Sequence, residues 1–402
     1  MTRILMRAHQ SPFAVEPAQR VHDANLIGNN VGNLVFSHAV HRLLSTAGTR
    51  ITTSRLKRIT GPEVDDRFDR LVLPLANAFR PPFVPNLDAM SELVERTRVP
   101  VSVLGVGAQA DLEGAQVGGD ALDAAVRRFV GAVLDRSPSI GVRGEYTASY
   151  LRRLGFGDEH VAVVGCPSMF LDGPNLQVTP RIDAVTAETP IAFNASPYLD
   201  EVGPLSVHHA ARYPHLHYVP QDRATLGLLL DGEYVNRWIP PERAGDKPVT
   251  ATHPLVAGGR TVFPLSSSTW IDLLRGYDFS FGTRIHGNVV ALLAGTPAVV
   301  LAHDSRTLEL ADLHQIPYRL ISEVGVDVDA ADLFAGADWG PMNRGHAERW
   351  RAFSGFLESH GLEHVFSSGQ SPRRFDDKLA AADLPAPVWS PAPAPASPPS
   401  AI

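Results

Sequence analysis

Along the chain, short apolar and β-branched runs alternate with longer segments whose apolar positions recur every three or four residues. "RLVLPLA" (70–76), "VPVSVLGVGAQ" (99–109), "SIGVRG" (139–144) and "HVAVVGCP" (160–167) are runs of strand length, apolar on both faces. Between them, "NLVFSHAVHRLLSTAG", "LDAMSELVERTR", "ALDAAVRRFVGAVLDR" and "YTASYLRRLG" have helical spacing. In the third, Leu122, Val126, Phe129, Val130 and Val133 share one face. A second series starts near Ile191, with "TPIAFNASPY", "HLHYVPQD", "RTVFPL", "YDFSFGT", "TPAVVLA" and "YRLIS". Strand–helix alternation of this kind predicts an α/β fold with parallel sheets. Two Rossmann-like lobes are expected, residues 1–180 and 188–335, divided by the polar, turn-rich stretch at 175–188. A helix within 340–365 is expected to pack across both lobes. The Pro/Ala/Ser-rich segment 384–402 is expected to be a disordered tail.

At 402 residues the chain is too long for one ordinary core, and its 44% apolar content suffices to build two. Net charge is −7, with 36 basic and 43 acidic residues well mixed, which argues against nucleic acid as a partner. A single cysteine, Cys166, excludes an internal disulfide and points to a reducing compartment; its place between a buried strand and a proline reads as a packed thiol. "MTRILMRAHQSPF" lacks the apolar segment of a signal peptide. The longest apolar stretch, 289–302, is broken by Gly295, Thr296 and Pro297 and is too short to cross a bilayer. A cytoplasmic location is expected, leaving room for peripheral contact with a membrane-bound substrate. His208, His209, His215 and His217 lie without acids at ligand spacing, so they read as a polar interlobe loop; no metal and no cofactor is expected.

Open parallel sheets bind ligands beyond the carboxyl ends of their strands. At such an end stands "SFGTRIHGNVVALLAGTP": strand, loop, apolar helix, then a stop at Gly295 and Pro297. The loop feeding that helix gathers free N–H groups and the positive dipole end, an environment for anions. Arg284 adds a charged planar fork, His286 a group able to move protons, and Gly287 room for a ligand at the backbone. The structural alternative is an Arg284 ion pair and a helix-capping His286. Gly28–Asn33, with Gly32 and Asn33, reads as a tight turn or as a place for substrate near backbone. Asn77, Gln221 and Asp222 follow strands, where they cap turns or bind sugar hydroxyls. "SSST" (266–269) reads first as an N-cap, with Ser268 a candidate anion contact second.

The block 282–306, "GTRIHGNVVALLAGTPAVVLAHDSR", resembles the signature of the polysaccharide pyruvyl transferase family: strand, R-x-H-G, apolar helix, G-x-P, and a hydrophobic strand ending in an acid and a base, here Asp304 and Arg306. "NNVGNLVFSHAVHRLL", "LGVGAQ", "IGVRGEYTASYLRRLG", "VVGCPSMF" and "YVPQD" are similar to other family segments, so the likeness runs over roughly 25–325. Asn33 and Gly144 stand where members more often have Asp; Arg143 matches.

The resemblance implies a two-lobed, GT-B-like architecture. It also implies transfer of a pyruvyl group from phosphoenolpyruvate to a glycan or lipid-linked glycan acceptor, commonly as a ketal across two hydroxyls. On that reading His286 is the general acid, and Arg284, Arg143 and Arg306 with Gly287 and Ser268 hold the doubly anionic donor. Asp304 orients His286 or a sugar hydroxyl, or pairs with Arg306. Two alternatives remain open at this stage. One is a nucleotide-sugar glycosyltransferase, although Asn288 and Ala291 stand where its donor-holding acid would be sought. The other is a glycan-binding relative without catalysis. The discriminator is whether Arg143, Arg284 and His286 converge.

Overall fold

A computed structural model describes residues 1–110, 118–236, 239–325 and 327–391. Two parallel sheets organise them. In the first, Thr49–Ser54, Thr2–Arg7, Arg70–Pro74 and Val101–Leu104 lie side by side in that order. Ile140–Val142 and Val161–Val163 extend the layer through the Gly105 and Val106 backbone bonds to Gly141. In the second, the order is Leu216–Tyr218, Ile191–Asn194, Phe279–Gly282, Ala298–Ala302, Tyr318–Leu320. The α/β class and two-lobed arrangement expected from the sequence are those of the structure.

Each sheet is sandwiched by helices that bury their apolar stripes, because a sheet apolar on both faces must be covered on both. Asp120–Leu134 turns Leu122, Val126, Phe129, Val130 and Val133 into the first core. Ile285–Leu293 is buried nearly all round, between its sheet and the Gly32–Leu44 helix of the other lobe. Gly340–Ser359 spans the junction. Met342 enters the second core, while Trp350, Phe353, Phe356 and Leu357 pack on Ile4, Met6, Val72 and Leu104 of the first. Among the described residues no helix is long and apolar enough to cross a membrane.

Several expectations change. Thr2–Arg7 is a central strand, although "TRILMR" is too short and too charged at its ends to announce itself. "RTVFPL" touches the main sheet only at its start, where Thr261 bridges Tyr218 in parallel; Val262–Phe263 pairs antiparallel with Val388–Trp389. That pairing, with Ser390 N–H donating to Thr261 O at 2.8 Å, orders the first part of the segment expected to be a tail from 384; residues 392–402 lie outside the described residues. The histidine group is no interlobe loop. His208 and His209 lie on Val202–Arg212 and His217 on a strand, with His209 fully buried against Phe193 and Tyr213. No cluster of three or more His, Cys, Asp or Glu side chains able to hold a metal occurs among the described residues.

Candidate functional site

The helix Ile285–Leu293 begins where Phe279–Gly282 ends. Gly282 has φ +145°, and a Cβ there would lie 1.7 Å from the Asn194 carbonyl of the neighbouring strand, so only glycine makes this exit. Arg284 is the N-cap; its own side chain makes no capping bond, while its N–H donates to Asn194 Oδ1 at 2.9 Å. The helix stops at Gly295 (φ +79°), with Thr296 N–H donating to Ala291 O at 2.8 Å.

This open terminus faces the first lobe. His286 Nε2 lies 3.7 Å from the thiol of Cys166, which in turn contacts Ser168 Oγ at 2.7 Å. Arg143 Nη2 approaches the same sulfur at 4.0 Å. Arg143 is 0% exposed, and its Nε and Nη1 have no hydrogen-bond partner among the described residues. A buried guanidinium with unused donors is costly unless an anion completes it. Burial, with Arg143 and Arg306 nearby, holds the His286 imidazole well below its ordinary pKa, so it is neutral.

Arg306 forms the next part. Its Nη2 pairs with Asp304 at 3.0 Å and its Nε is unpartnered among the described residues. Beside it stands Arg80, whose Nε is likewise unpartnered; burial and the Arg306 charge lower its pKa. Tyr198 joins this group: Arg284 lies over its ring at 5.6 Å and its hydroxyl is 2.9 Å from His303 Nε2. Burial lowers the pKa of His303 to about 4.

The structure thus brings Arg143, His286 and Arg306 together. Arg284 sits to one side, its Nε donating to Ala195 O at 3.2 Å. Other candidates fall differently. The space over Gly287 is filled, because a Cβ there would meet Asn194 Cγ and Gln221 Nε2 at 2.7 Å; the glycine admits protein side chains rather than a ligand. Gly32 is likewise closed by Asn30, Gln221 and the Cβ of His286. Asn33 donates from Nδ2 to Ile27 O and Gly28 O, both at 3.0 Å, and so ties the turn shut. A carboxylate at 33 has no proton to do this. Gln221 is 1% exposed, its carbonyl receiving Val31 N–H at 2.9 Å.

Asp304 does not orient His286. It caps its own helix through Thr307 N–H at 2.9 Å, pairs with Arg306, and accepts from Gln109 Nε2 at 3.3 Å. Asn77 Nδ2 donates to the same Gln109. Ser266, not Ser268, caps Ser267–Leu274, accepting from Thr269 N–H at 3.2 Å, and no hydrogen bond or ion pair joins Ser268 to the arginines among the described residues. Asn288 is fully buried, bonded to Asn194 Nδ2 at 2.9 Å and to Gly282 O at 2.9 Å. It is therefore a structural amide, with no donor-holding acid in its place.

Sequence reasoning missed Arg80, Tyr198, Ser168, Glu309 and the position of Cys166 at the site. Only Cys166 carried a signal, standing just past a strand end. The others converge through folding alone.

The family model for polysaccharide pyruvyl transferase matches residues 82–305, more than half of the chain. No curated protein matches the sequence. Among solved structures, a UDP-N-acetylglucosamine 2-epimerase is 11% identical, covering 92% of this chain and 98% of its own, with a TM-score of 0.46. The S. aureus MnaA–UDP complex is 13% identical, covering 96% and 99%, with a TM-score of 0.42. The Neisseria meningitidis UDP-GlcNAc 2-epimerase bound to UDP-GlcNAc is 11% identical, covering 94% and 99%, also at 0.42. Likeness this distant carries no argument about substrate.

Proposed function

The chain belongs to the polysaccharide pyruvyl transferase family, and from that premise we propose that it moves a pyruvyl group from phosphoenolpyruvate onto two hydroxyls of a glycan or lipid-linked glycan precursor. The observation that carries this reading is the fully buried Arg143, with two unused donors, facing an imidazole at an uncapped helix terminus. Phosphoenolpyruvate carries a phosphate and a carboxylate. Arg143 and the Arg306–Arg80 group, with Arg284 at their edge, offer cations for both.

In the proposed reaction C3 of the enol takes a proton from His286, and C2 becomes an oxocarbenium-like centre. One sugar hydroxyl adds to C2, phosphate leaves, and a second hydroxyl closes the ketal. Of the two hydroxyl protons, one replaces that spent on C3 and the other leaves with phosphate. A neutral His286 cannot begin this as an acid. The arriving donor supplies the condition: its negative charges offset Arg143 and Arg306, and an anion within a few ångströms favours the imidazolium. Proton uptake is then coupled to donor binding, and the acid forms only when there is something to protonate.

The test is acceptor-dependent phosphate release from phosphoenolpyruvate over a panel of glycans. His286→Ala is expected to lower kcat by about 10²–10⁴ with melting temperature retained. Release unchanged in His286→Ala sinks the acid assignment. A wild type that neither releases phosphate nor binds phosphoenolpyruvate sinks the reading as a whole.

A further inference from the structure

Gly144 departs from the resemblance noted in the sequence, and the structure shows what occupies its surroundings. A Cβ on residue 144 would lie 2.9 Å from Oε2 of Glu309 and 3.1 Å from its Cβ and Cδ. Glu309 belongs to Ser305–His314, a helix of the second lobe, yet its carboxylate reaches into the first. Oε2 accepts the Thr147 N–H at 3.1 Å and Oε1 the Thr147 hydroxyl at 2.9 Å. The same hydroxyl accepts Ala108 N–H at 3.0 Å. Glu309 thus closes the N-terminal turn of Glu145–Arg153, the turn that follows directly on Arg143. Gly107 lies between the two charges: a Cβ there would be 3.4 Å from Arg143 Cδ and 3.5 Å from Glu309 Oε1. The seam beside it is bonded, with Ala110 N–H to Ser305 Oγ at 2.9 Å and Ser305 N–H to Ala110 O at 3.0 Å.

We infer that Glu309 is a positioning residue for Arg143: a carboxylate delivered by the opposite lobe into the one space shared with residue 144, holding the Arg143 turn against the site. The inference rests on the reading of Arg143 as a donor-binding group. Burial pushes the Glu309 acid up to about 7, with Arg143 from across the seam and Asp304 from its own helix as the charged groups facing it. His286, held far lower, does not titrate near neutrality in the free protein.

The geometry makes a reciprocal demand, since the space takes one carboxylate. Glu309→Ala and Gly144→Asp are each expected to raise the KM for phosphoenolpyruvate about tenfold or more, the scale of one unmet buried charge, with kcat changed less. The double variant moves the carboxylate from 309 to 144 and is expected to recover most of the lost KM. Glu309→Gln, the milder change, is expected to remove an inflection of KM near pH 7. If Glu309→Gln keeps that inflection, or if melting temperature recovers in the double variant while KM does not, Glu309 only braces the fold and the inference is wrong. Inorganic phosphate binding by calorimetry runs in parallel on the wild type and all four variants. A wild type that binds phosphate with the same reciprocal pattern but releases none from phosphoenolpyruvate overturns the donor reading and keeps Glu309. A wild type that binds neither anion overturns both.

Discussion

Two neighbouring helices follow two neighbouring strands, and their first turns are built oppositely. Ile285–Leu293 has Arg284 at its N-cap and no capping side chain. Ser305–His314 has Asp304, which accepts Thr307 N–H while Thr307 Oγ answers the Asp304 backbone. The first terminus has no capping bond from its N-cap side chain; the second spends its partial positive charge internally. A third, Glu145–Arg153, is closed by Glu309 from the other lobe. One fold therefore holds an open, a self-closed and a cross-closed terminus within one site, and the open one carries R-x-H-G.

The strongest way to break the comparison is to close the open terminus. Arg284→Asp places a capping carboxylate where a cation stood. It is expected to raise stability by about 1 kcal/mol while lowering phosphate release by about 10²–10³, the scale of a lost charge-assisted contact in a desolvated site. Retained activity would mean the terminus is not the anion site. Next comes the cross-closed terminus. A carboxyl raised from its ordinary 4.5 to about 7 by burial adds stability that is fully present below pH 4.5 and lost as pH rises through 7. The loss is at most about 3 kcal/mol. Wild type minus Glu309→Gln, followed by urea denaturation from pH 4 to 8, should show that slope; a flat difference refutes it.

Donor binding should take up about one proton, read from binding enthalpy in buffers of unlike ionisation heat, and a buffer-independent enthalpy removes His286 as the acid. Uncapping the self-closed terminus by Asp304→Ala should cost about 1–2 kcal/mol in melting experiments, without the large activity loss of Arg284→Asp. The smallest effect is at Ser268, where Ala should change stability by less than about 0.5 kcal/mol and leave the KM for phosphoenolpyruvate unmoved.

What could be read in advance follows from how local each signal is. Strand and helix periods are local, so both series of elements were legible, and so was the R-x-H-G block, whose strand, loop and helix are contiguous. Thr2–Arg7 was not, because its burial comes from neighbours on both sides of a sheet rather than from its own pattern. At the site, His286 was singled out from its place at a helix start and Arg143 through resemblance to a family, but Arg80 and Glu309 meet them only by tertiary folding. Asn33 and Gly144, the two departures, had no explanation in one dimension. Asn33 needs an amide proton for Ile27 and Gly28, and Gly144 leaves its volume to a residue far along the chain.

The route of residues 340–389 has a mechanical consequence. The chain leaves the second lobe through Gly340–Ser359, lies on the first lobe through Val365 N–H to Leu43 O and the Arg42–Asp376 pair, and returns to the second at Val388–Trp389. With the stretch before Ile191, three separate tethers join the two bodies. A pair of bodies joined at one hinge can swing and twist freely; joined at three, it retains little beyond rocking about a single axis. Relative motion of the two lobes is thereby restrained, and cutting the chain near residue 384 should loosen it.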